Sequence, residues 1–176
     1  MNLEIVLIIS FVFISLFGTL LHFTHGWFKN GILLHIFSAI NESTWEHMKL
    51  LVAPTVFIGI FQYIVLGSDY PNIFNSIFIL LFVQICSIPL LYEPLRVLVD
   101  RVHFIITIMI FYLSISLGIF IEYIFLIKGY ILFDERISLI FILLLTFLFG
   151  IFTYYPPRVS LFKDPNSGKY GEGNRK

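Results

Sequence analysis

The sequence is dominated by apolar runs that are long enough to cross a lipid bilayer. Hydrophobic residues make up 59% of the chain and charged residues 12%, whereas soluble domains carry about 25% charged residues. A membrane helix needs about 20 mostly apolar residues, because each residue rises ~1.5 Å through a hydrocarbon core of ~30 Å. The repeated runs of this length exclude a soluble fold and predict an integral membrane protein built from helices.

Short polar segments separate these runs and predict an all-α, polytopic bundle of about five membrane-spanning helices. The predicted spans are residues 3–25, 43–66, 73–92, 104–127 and 137–154. The apolar stretch 32–40 is too short to cross, so we expect a re-entrant or interfacial segment there. Residues 1–154 would form the transmembrane helical domain, and residues 155–176 a cytoplasmic tail.

A further helix start is predicted at Pro94, because proline is favoured at the first position of a helix. Residues 94–103 carry apolar side chains on one helical face and place Arg96, Asp100 and His103 on the other. This pattern is typical of an amphipathic segment at the membrane interface. We therefore expect one long helix that begins at Pro94 and enters the bilayer near Phe104.

Basic residues predict which end of the bundle faces the cytoplasm. Five spans put two of the eleven cations, Lys128 and Arg136, on one side of the membrane. The other nine fall on the opposite side: Lys29, Lys49, Arg96, Arg101, Arg158, Lys163, Lys169, Arg175 and Lys176. The positive-inside rule then predicts a multi-pass protein of the cell (inner) membrane, with the amino terminus outside and the carboxyl terminus in the cytoplasm.

The same orientation brings all five histidines to the predicted cytoplasmic end: His22, His25, His35, His47 and His103. Glu42, Glu46 and Asp100 belong to the same end. Ionisable groups at membrane depth cost ~2.5 to 3.5 kcal/mol each. Residue pairs three or four apart, such as Glu42 and Glu46, can share a helical face. The pattern therefore predicts a polar site at this end.

A metal-dependent hydrolase embedded in the membrane is the first functional hypothesis. Imidazole and carboxylate groups bind zinc or another divalent metal, and the metal makes a bound water acidic enough to attack a substrate. The candidate metal ligands are His22, His25, His47 and His103, and the candidate catalytic residues are Glu42, Glu46, His47 and Asp100. A lipid or a small molecule would be the substrate, and the lipid bilayer the main partner.

Two other functional classes fit the same residues. A small-solute transporter or substrate-binding membrane subunit would use the polar groups to bind its solute, with Pro54 and Pro89 allowing helix movement. A structural or partner-binding membrane protein needs no chemistry from them. The net charge of zero gives no indication of a nucleic-acid partner.

Simpler interpretations exist for several of these residues. The sequence Ser43-Thr44-Trp45-Glu46 matches a helix capping box, in which the Glu46 carboxylate binds a backbone donor and carries out no chemistry. Arg96 and Asp100 could form a surface ion pair worth ~0 to 1 kcal/mol. His103 could simply lie at the membrane interface.

Glu122 is an acidic residue within the fourth predicted span, near its outer end. An ionisable residue at such a position is by default a candidate proton or cation site. Lys128 and Arg136 are the possible ionic partners. An interfacial position without function is the alternative interpretation.

Two strings in the sequence resemble a known protein family. The first is Asn41-Glu42-Ser43-Thr44-Trp45-Glu46-His47-Met48-Lys49, and the second combines Tyr155-Pro156-Pro157 with the tail from Leu161 to Gly171. Together they resemble a family of small multi-pass bacterial membrane proteins of unknown function, over nearly the whole chain. The resemblance implies a helical membrane fold and supplies no activity, substrate or ligand.

Overall fold

The computed structural model describes residues 2–27, 32–99 and 102–171, and this part of the chain is mainly helical. The α-helices are α1 (Leu3–Trp27), α2 (Ile32–Phe37), α3 (Thr44–Leu66), α4 (Ile73–Leu98), α5 (Phe104–Lys128) and α6 (Glu135–Tyr154), followed by a 3-10 turn at Ser160–Phe162. All except α2 are long and apolar enough to span a membrane. The predicted all-α bundle of five spans is confirmed.

The prediction of a helix start at Pro94 is wrong. Helix α4 continues through Pro89 and Pro94 and ends at Leu98, and α5 starts separately at Phe104, with His103 as its N-cap. A proline inside a helix removes one backbone hydrogen bond but does not always end the helix. The amphipathic residues after Pro94 therefore form the last turn of α4.

Helix α4 lies at the centre of the bundle, where it packs against α3, α5 and α6, while α1 packs against α3 and α5. Gly118 allows α5 to approach α4 closely, because a Cβ atom at this position would lie 2.8 Å from the side chain of Gln84 and 3.0 Å from Leu80. Small residues at such contacts are typical of helix pairs in membranes. The sides facing away from the bundle are apolar and exposed, as Ile8, Ile64 and Leu90 show.

Side chains from other elements hold the start of α4 in place. The N-cap residue Asn72 makes no side-chain cap of its own. Instead, the Glu135 carboxylate at the start of α6 accepts hydrogen bonds from the backbone N–H groups of Phe74 at 2.7 Å and Asn75 at 3.1 Å. A carboxylate at this position satisfies free donors and complements the positive end of the helix dipole. Glu135 thus joins α6 to α4.

Replacing Glu135 with alanine should lower the free energy of unfolding by about 1–2 kcal/mol, because two backbone donors lose their acceptor. Thermal unfolding in detergent would measure the change. The matched control is Asp69→Ala, since Asp69 is an exposed carboxylate in the turn between α3 and α4. Equal unfolding temperatures for the two variants would contradict the capping role.

Candidate functional site

The polar end of the bundle is defined here as the end at which α1, α4 and α6 finish and α3 and α5 begin. Segment 38–43 crosses this end on its way into α3, and residues 155–171 return to it after α6. Because one end of each of these five helices lies there, side chains that are far apart in sequence come into contact. It is the end at which the sequence predicts a polar site.

Glu42 lies between two histidines at the polar end. One carboxylate oxygen is 3.8 Å from Nε2 of His22, at the end of α1, and the other is 3.4 Å from Nε2 of His47, in the first turns of α3. The two imidazole rings lie face to face, with centroids 5.7 Å apart. We call His22, Glu42 and His47 the histidine–glutamate cluster.

Both ring nitrogens of His47 face hydrogen-bond acceptors. Its Nδ1 lies 3.0 Å from the backbone carbonyl of Ser43, while its Nε2 faces Glu42. A nitrogen that faces a carbonyl or a carboxylate must carry a proton in order to donate. This geometry favours an imidazolium at His47, and the hydrogen bond from His47 holds the pKa of Glu42 below its ordinary value.

Glu46 and Lys49 form a second, fully buried polar group in the first turns of α3. Their side chains are 3% and 1% exposed, and the carboxylate and ammonium lie 2.5 Å apart. The Lys49 ammonium also donates to the His35 carbonyl at 2.9 Å and to the Thr153 hydroxyl at 3.0 Å. Glu46 accepts from the backbone N–H of Ile40 at 3.1 Å. The pair therefore ties α3 to α2, to segment 38–43 and to α6.

Glu93 is the acidic centre of a third contact, at the end of α4. Its Oε1 accepts a hydrogen bond of 2.5 Å from the Thr44 hydroxyl and lies 3.3 Å from the Arg96 guanidinium. Arg96 also lies 3.5 Å from the Ser160 carbonyl in the tail. These contacts hold the last turn of α4 against the start of α3 and explain why α4 continues beyond Pro94.

The tail folds back over the polar end. The Trp45 ring stacks on Phe149 of α6 at 4.0 Å and on Phe162 of the 3-10 turn at 4.5 Å, measured between ring centroids. At the far end of the tail, the Gly171 carbonyl accepts a 3.0 Å hydrogen bond from the Asn41 side chain. The tail therefore forms one wall of the site.

Two spaces meet at the histidine–glutamate cluster. The first, called here the polar cavity, measures about 430 Å³ and is lined by His22, Glu42, His47, Tyr92, Arg96, Val99, Val102, Phe104, Thr107, Pro165 and Asn166. The second, called here the apolar groove, measures about 120 Å³ and lies between α1 and α5 against α3, lined by Gly18, Thr19, His22, Phe23, His47, Leu50, Phe104, Thr107, Ile108, Phe111 and Tyr112. His22, His47, Phe104 and Thr107 line both spaces.

The structure brings together only part of the predicted site. Glu42 and Glu46 do not share a helical face, because Glu42 precedes the N-cap Ser43 and turns toward the histidines. Glu46 is in the buried ion pair instead. The capping box is half formed, since Ser43 Oγ accepts from the N–H of Glu46 at 3.4 Å while the Glu46 carboxylate binds elsewhere.

The remaining candidates lie apart from the cluster or outside the described residues. His103 caps α5, with its Nδ1 accepting a 3.3 Å hydrogen bond from the N–H of Ile105. Asp100 and the side chain of His25 lie outside the described residues. Within the described ranges, no group of three or more histidine, cysteine or acidic side chains is arranged to hold a metal ion. The predicted set of four histidine ligands therefore finds no support there.

Three contributors to the polar end were missed by the sequence interpretation. Lys49 was counted only as a cation that sets the orientation, and Glu93 and Tyr92 were not singled out. A signal for Lys49 did exist, because Glu46 and Lys49 stand three apart in the first turn of an apolar span, where an unpaired charge would be costly. Glu93 gave no comparable local signal, since its partner Thr44 is distant in sequence.

Comparison with known proteins places the chain in a family. A family model with the description "Family of unknown function (DUF6512)" matches residues 1–172. The chain therefore belongs to this family, and the resemblance to a family of unknown function is confirmed. No curated protein and no solved structure matches the chain.

Substituting Lys49 with methionine should be strongly destabilising, because it leaves the Glu46 carboxylate buried without its partner. Loss of one member of a buried ion pair costs about 3–5 kcal/mol. The double variant Glu46→Gln/Lys49→Met should recover part of this loss, since no charge remains buried. Denaturation in mixed micelles would measure both variants, with Lys128→Met as the control for an exposed lysine. A loss for Lys49→Met no greater than that of the control would contradict the structural role.

The Glu42→Gln variant should be less stable than the wild-type protein at neutral pH, and this difference should shrink in acid. A carboxylate whose pKa is lowered by folding stabilises the protein above its unfolded pKa, and the stabilisation disappears as the pH falls through the lowered value. Unfolding temperatures between neutral pH and about pH 3, below the ordinary pKa of about 4.3, would show it. The effect should be small, since the Glu42 side chain is 46% exposed. A difference that grows in acid would contradict the assignment.

Proposed function

We propose that this member of the family binds an amphiphilic molecule from the bilayer and hydrolyses it at the histidine–glutamate cluster. The polar head would occupy the polar cavity, and the apolar tail would occupy the apolar groove between α1 and α5. An ester or phosphoester at the junction of the two spaces would lie beside Glu42 and His47. The substrate class is therefore a lipid or a lipid-like small molecule.

The observation that carries this proposal is the junction itself. His22, His47, Phe104 and Thr107 line both the polar cavity and the apolar groove, so a molecule could reach the polar side chains from the membrane without crossing water. Binding sites that are mainly apolar, with a few convergent polar groups, are typical of small-molecule recognition. A site for a fully water-soluble substrate would not need the groove.

The charges at the junction suit proton transfer. Glu42 is ionised and partly exposed to the cavity, so it can accept a proton from an attacking water. His47 holds protons on both ring nitrogens and can donate one to the leaving group. The His22 side chain also lines the cavity, with its Nε2 3.8 Å from Glu42, and adds a second imidazole beside the head group. Arg96 on the cavity wall adds a positive charge for a phosphate or carboxylate.

Metal dependence is a separate part of the hypothesis. His22, Glu42 and His47 offer nitrogen and oxygen donors of the type that binds zinc, but the described residues form no complete ligand set. We therefore assign the acid–base steps to the side chains themselves. Elemental analysis of the purified protein addresses this part: a stoichiometric metal that is lost in His47→Ala would favour the metal-dependent hydrolase.

The location of the site follows from the predicted orientation. With the amino terminus outside, the polar end would face the cytoplasm of the cell (inner) membrane. Accessibility labelling of tags at the two ends checks this orientation. A transporter could use the same cavity and groove, and it would differ by moving its solute into liposomes without changing it chemically.

Blocking the junction should release the bound amphiphile. The Thr107→Trp variant fills the boundary between the cavity and the groove, and its matched control is Ser116→Trp, which fills a separate groove between α1 and α5 near their other ends. Loss of two buried CH₂ contacts alone costs about 1.6 kcal/mol, or more than about tenfold in affinity. Native mass spectrometry of co-purified lipids should show this loss for Thr107→Trp and not for Ser116→Trp.

Hydrolysis needs a separate measurement, because a protein that only binds the amphiphile would give the same pattern of co-purified lipid. Glu42→Gln should retain the amphiphile and stop its hydrolysis, which mass spectrometry of the extracted lipids would follow over time. If Thr107→Trp, Ser116→Trp and the wild type retain equal amounts of amphiphile, the proposed binding site is wrong. Retention without any hydrolysis by the wild type would restrict its role to binding or transport.

A further inference from the structure

Glu122 is a buried acid outside the candidate site. It lies in the outer half of α5, about 9 Å before the end of the helix at ~1.5 Å per residue, and its exposed fraction is 0%. Its carboxyl group therefore lies inside the bundle and not on its exposed surface. None of the cavities described above is lined by Glu122.

The surroundings of Glu122 provide no counter-charge. Among the described residues, no charged side chain acts on it, and the polar group that faces it is Gln62 of α3. Neither Lys128 nor Arg136 serves as its partner, contrary to the expectation from sequence. On the neighbouring faces, α4 presents Gln84 and Leu80 one turn away at Gly118. An ionised carboxylate in such a place would be costly.

Unsatisfied hydrogen-bonding atoms show what is missing at this position. Among the residues that the structure describes, neither carboxyl oxygen of Glu122 has a hydrogen bond of ordinary geometry, and the Oε1 atom of Gln62 also lacks a donor. The Nε2 atom of Gln62 donates to Ser10 Oγ at 2.9 Å, and Ser10 Oγ donates to the Val6 carbonyl at 2.9 Å. The chain of hydrogen bonds from α1 to α3 therefore ends at Gln62, the polar side chain beside Glu122.

We propose that Glu122 is a proton-binding site in the membrane interior, whose bound proton links α5 to α3 and α1 by a hydrogen bond from Glu122 to Gln62 Oε1. A proton turns one Glu122 oxygen into a donor for Gln62 Oε1, which lacks one, and it requires no cavity. It also removes the charge that burial disfavours. Release of this proton would break the link and leave a charge inside the bundle, so proton binding and helix packing are coupled.

This proposal is independent of the hydrolase proposal, because Glu122 and Gln62 line neither the polar cavity nor the apolar groove. An experiment can therefore contradict either proposal without affecting the other. Proton binding at an intramembrane acid is also what a proton-coupled membrane protein requires. The coupling of three helices gives the bound proton a structural effect that an isolated buried acid would lack.

Infrared spectroscopy of the full-length protein in liposomes tests the proposal. At neutral pH, we expect the C=O stretching band of one protonated carboxyl group, which Glu122→Gln removes and Glu122→Asp shifts in frequency. The control Asp69→Asn should leave this band unchanged, since Asp69 is exposed. If Glu122→Gln fails to fold, the frequency shift in Glu122→Asp still identifies the group.

Two outcomes would overturn the proposal. If Glu122→Gln and Glu122→Asp change only carboxylate bands at neutral pH, Glu122 is ionised and holds no proton. If those carboxylate bands depend on sodium ions, the site binds a metal cation rather than a proton. A supporting result also requires that unfolding temperature falls with rising pH more steeply in wild type than in Glu122→Gln, because only the wild type loses a proton from this position.

Discussion

The Glu46–Lys49 ion pair is the interaction on which the polar end depends. A lysine and a glutamate that are both almost fully buried in a membrane helix are tolerated only when each satisfies the other and the remaining donors also find acceptors. Here the remaining donors of Lys49 bind the His35 carbonyl and the Thr153 hydroxyl. One charged pair therefore fixes the positions of α2, α3 and α6 relative to one another.

This arrangement places the residues around the start of α3. Because Glu46 turns inward to Lys49 and also binds the backbone at Ile40, segment 38–43 is held against the helix end. Glu42 is then left facing outward, between His22 and His47. The buried pair is thus structural, and the half-exposed carboxylate beside the two histidines faces the polar cavity. Two acids in one short motif have different roles because their surroundings differ.

The sequence was sufficient to predict the helices and insufficient to predict their contacts. Span length and hydropathy gave five spans, since membrane thickness sets the length of an apolar helix. The separation of Glu42 from Glu46 could not be predicted by spacing, because helical periodicity applies only after the N-cap Ser43. The helix start predicted at Pro94 was wrong because a contact between distant residues could not be predicted from local sequence. The hydrogen bond of Glu93 with Thr44 holds the end of α4 in its helical conformation.

The proposed function depends most on the junction of the polar cavity with the apolar groove. An experimental map of the protein in lipid nanodiscs would test it most directly. We expect elongated density with its polar end beside His22, Glu42 and His47 and its apolar end between α1 and α5. Lipid density confined to the outer surface, with the junction closed by protein side chains, would contradict it.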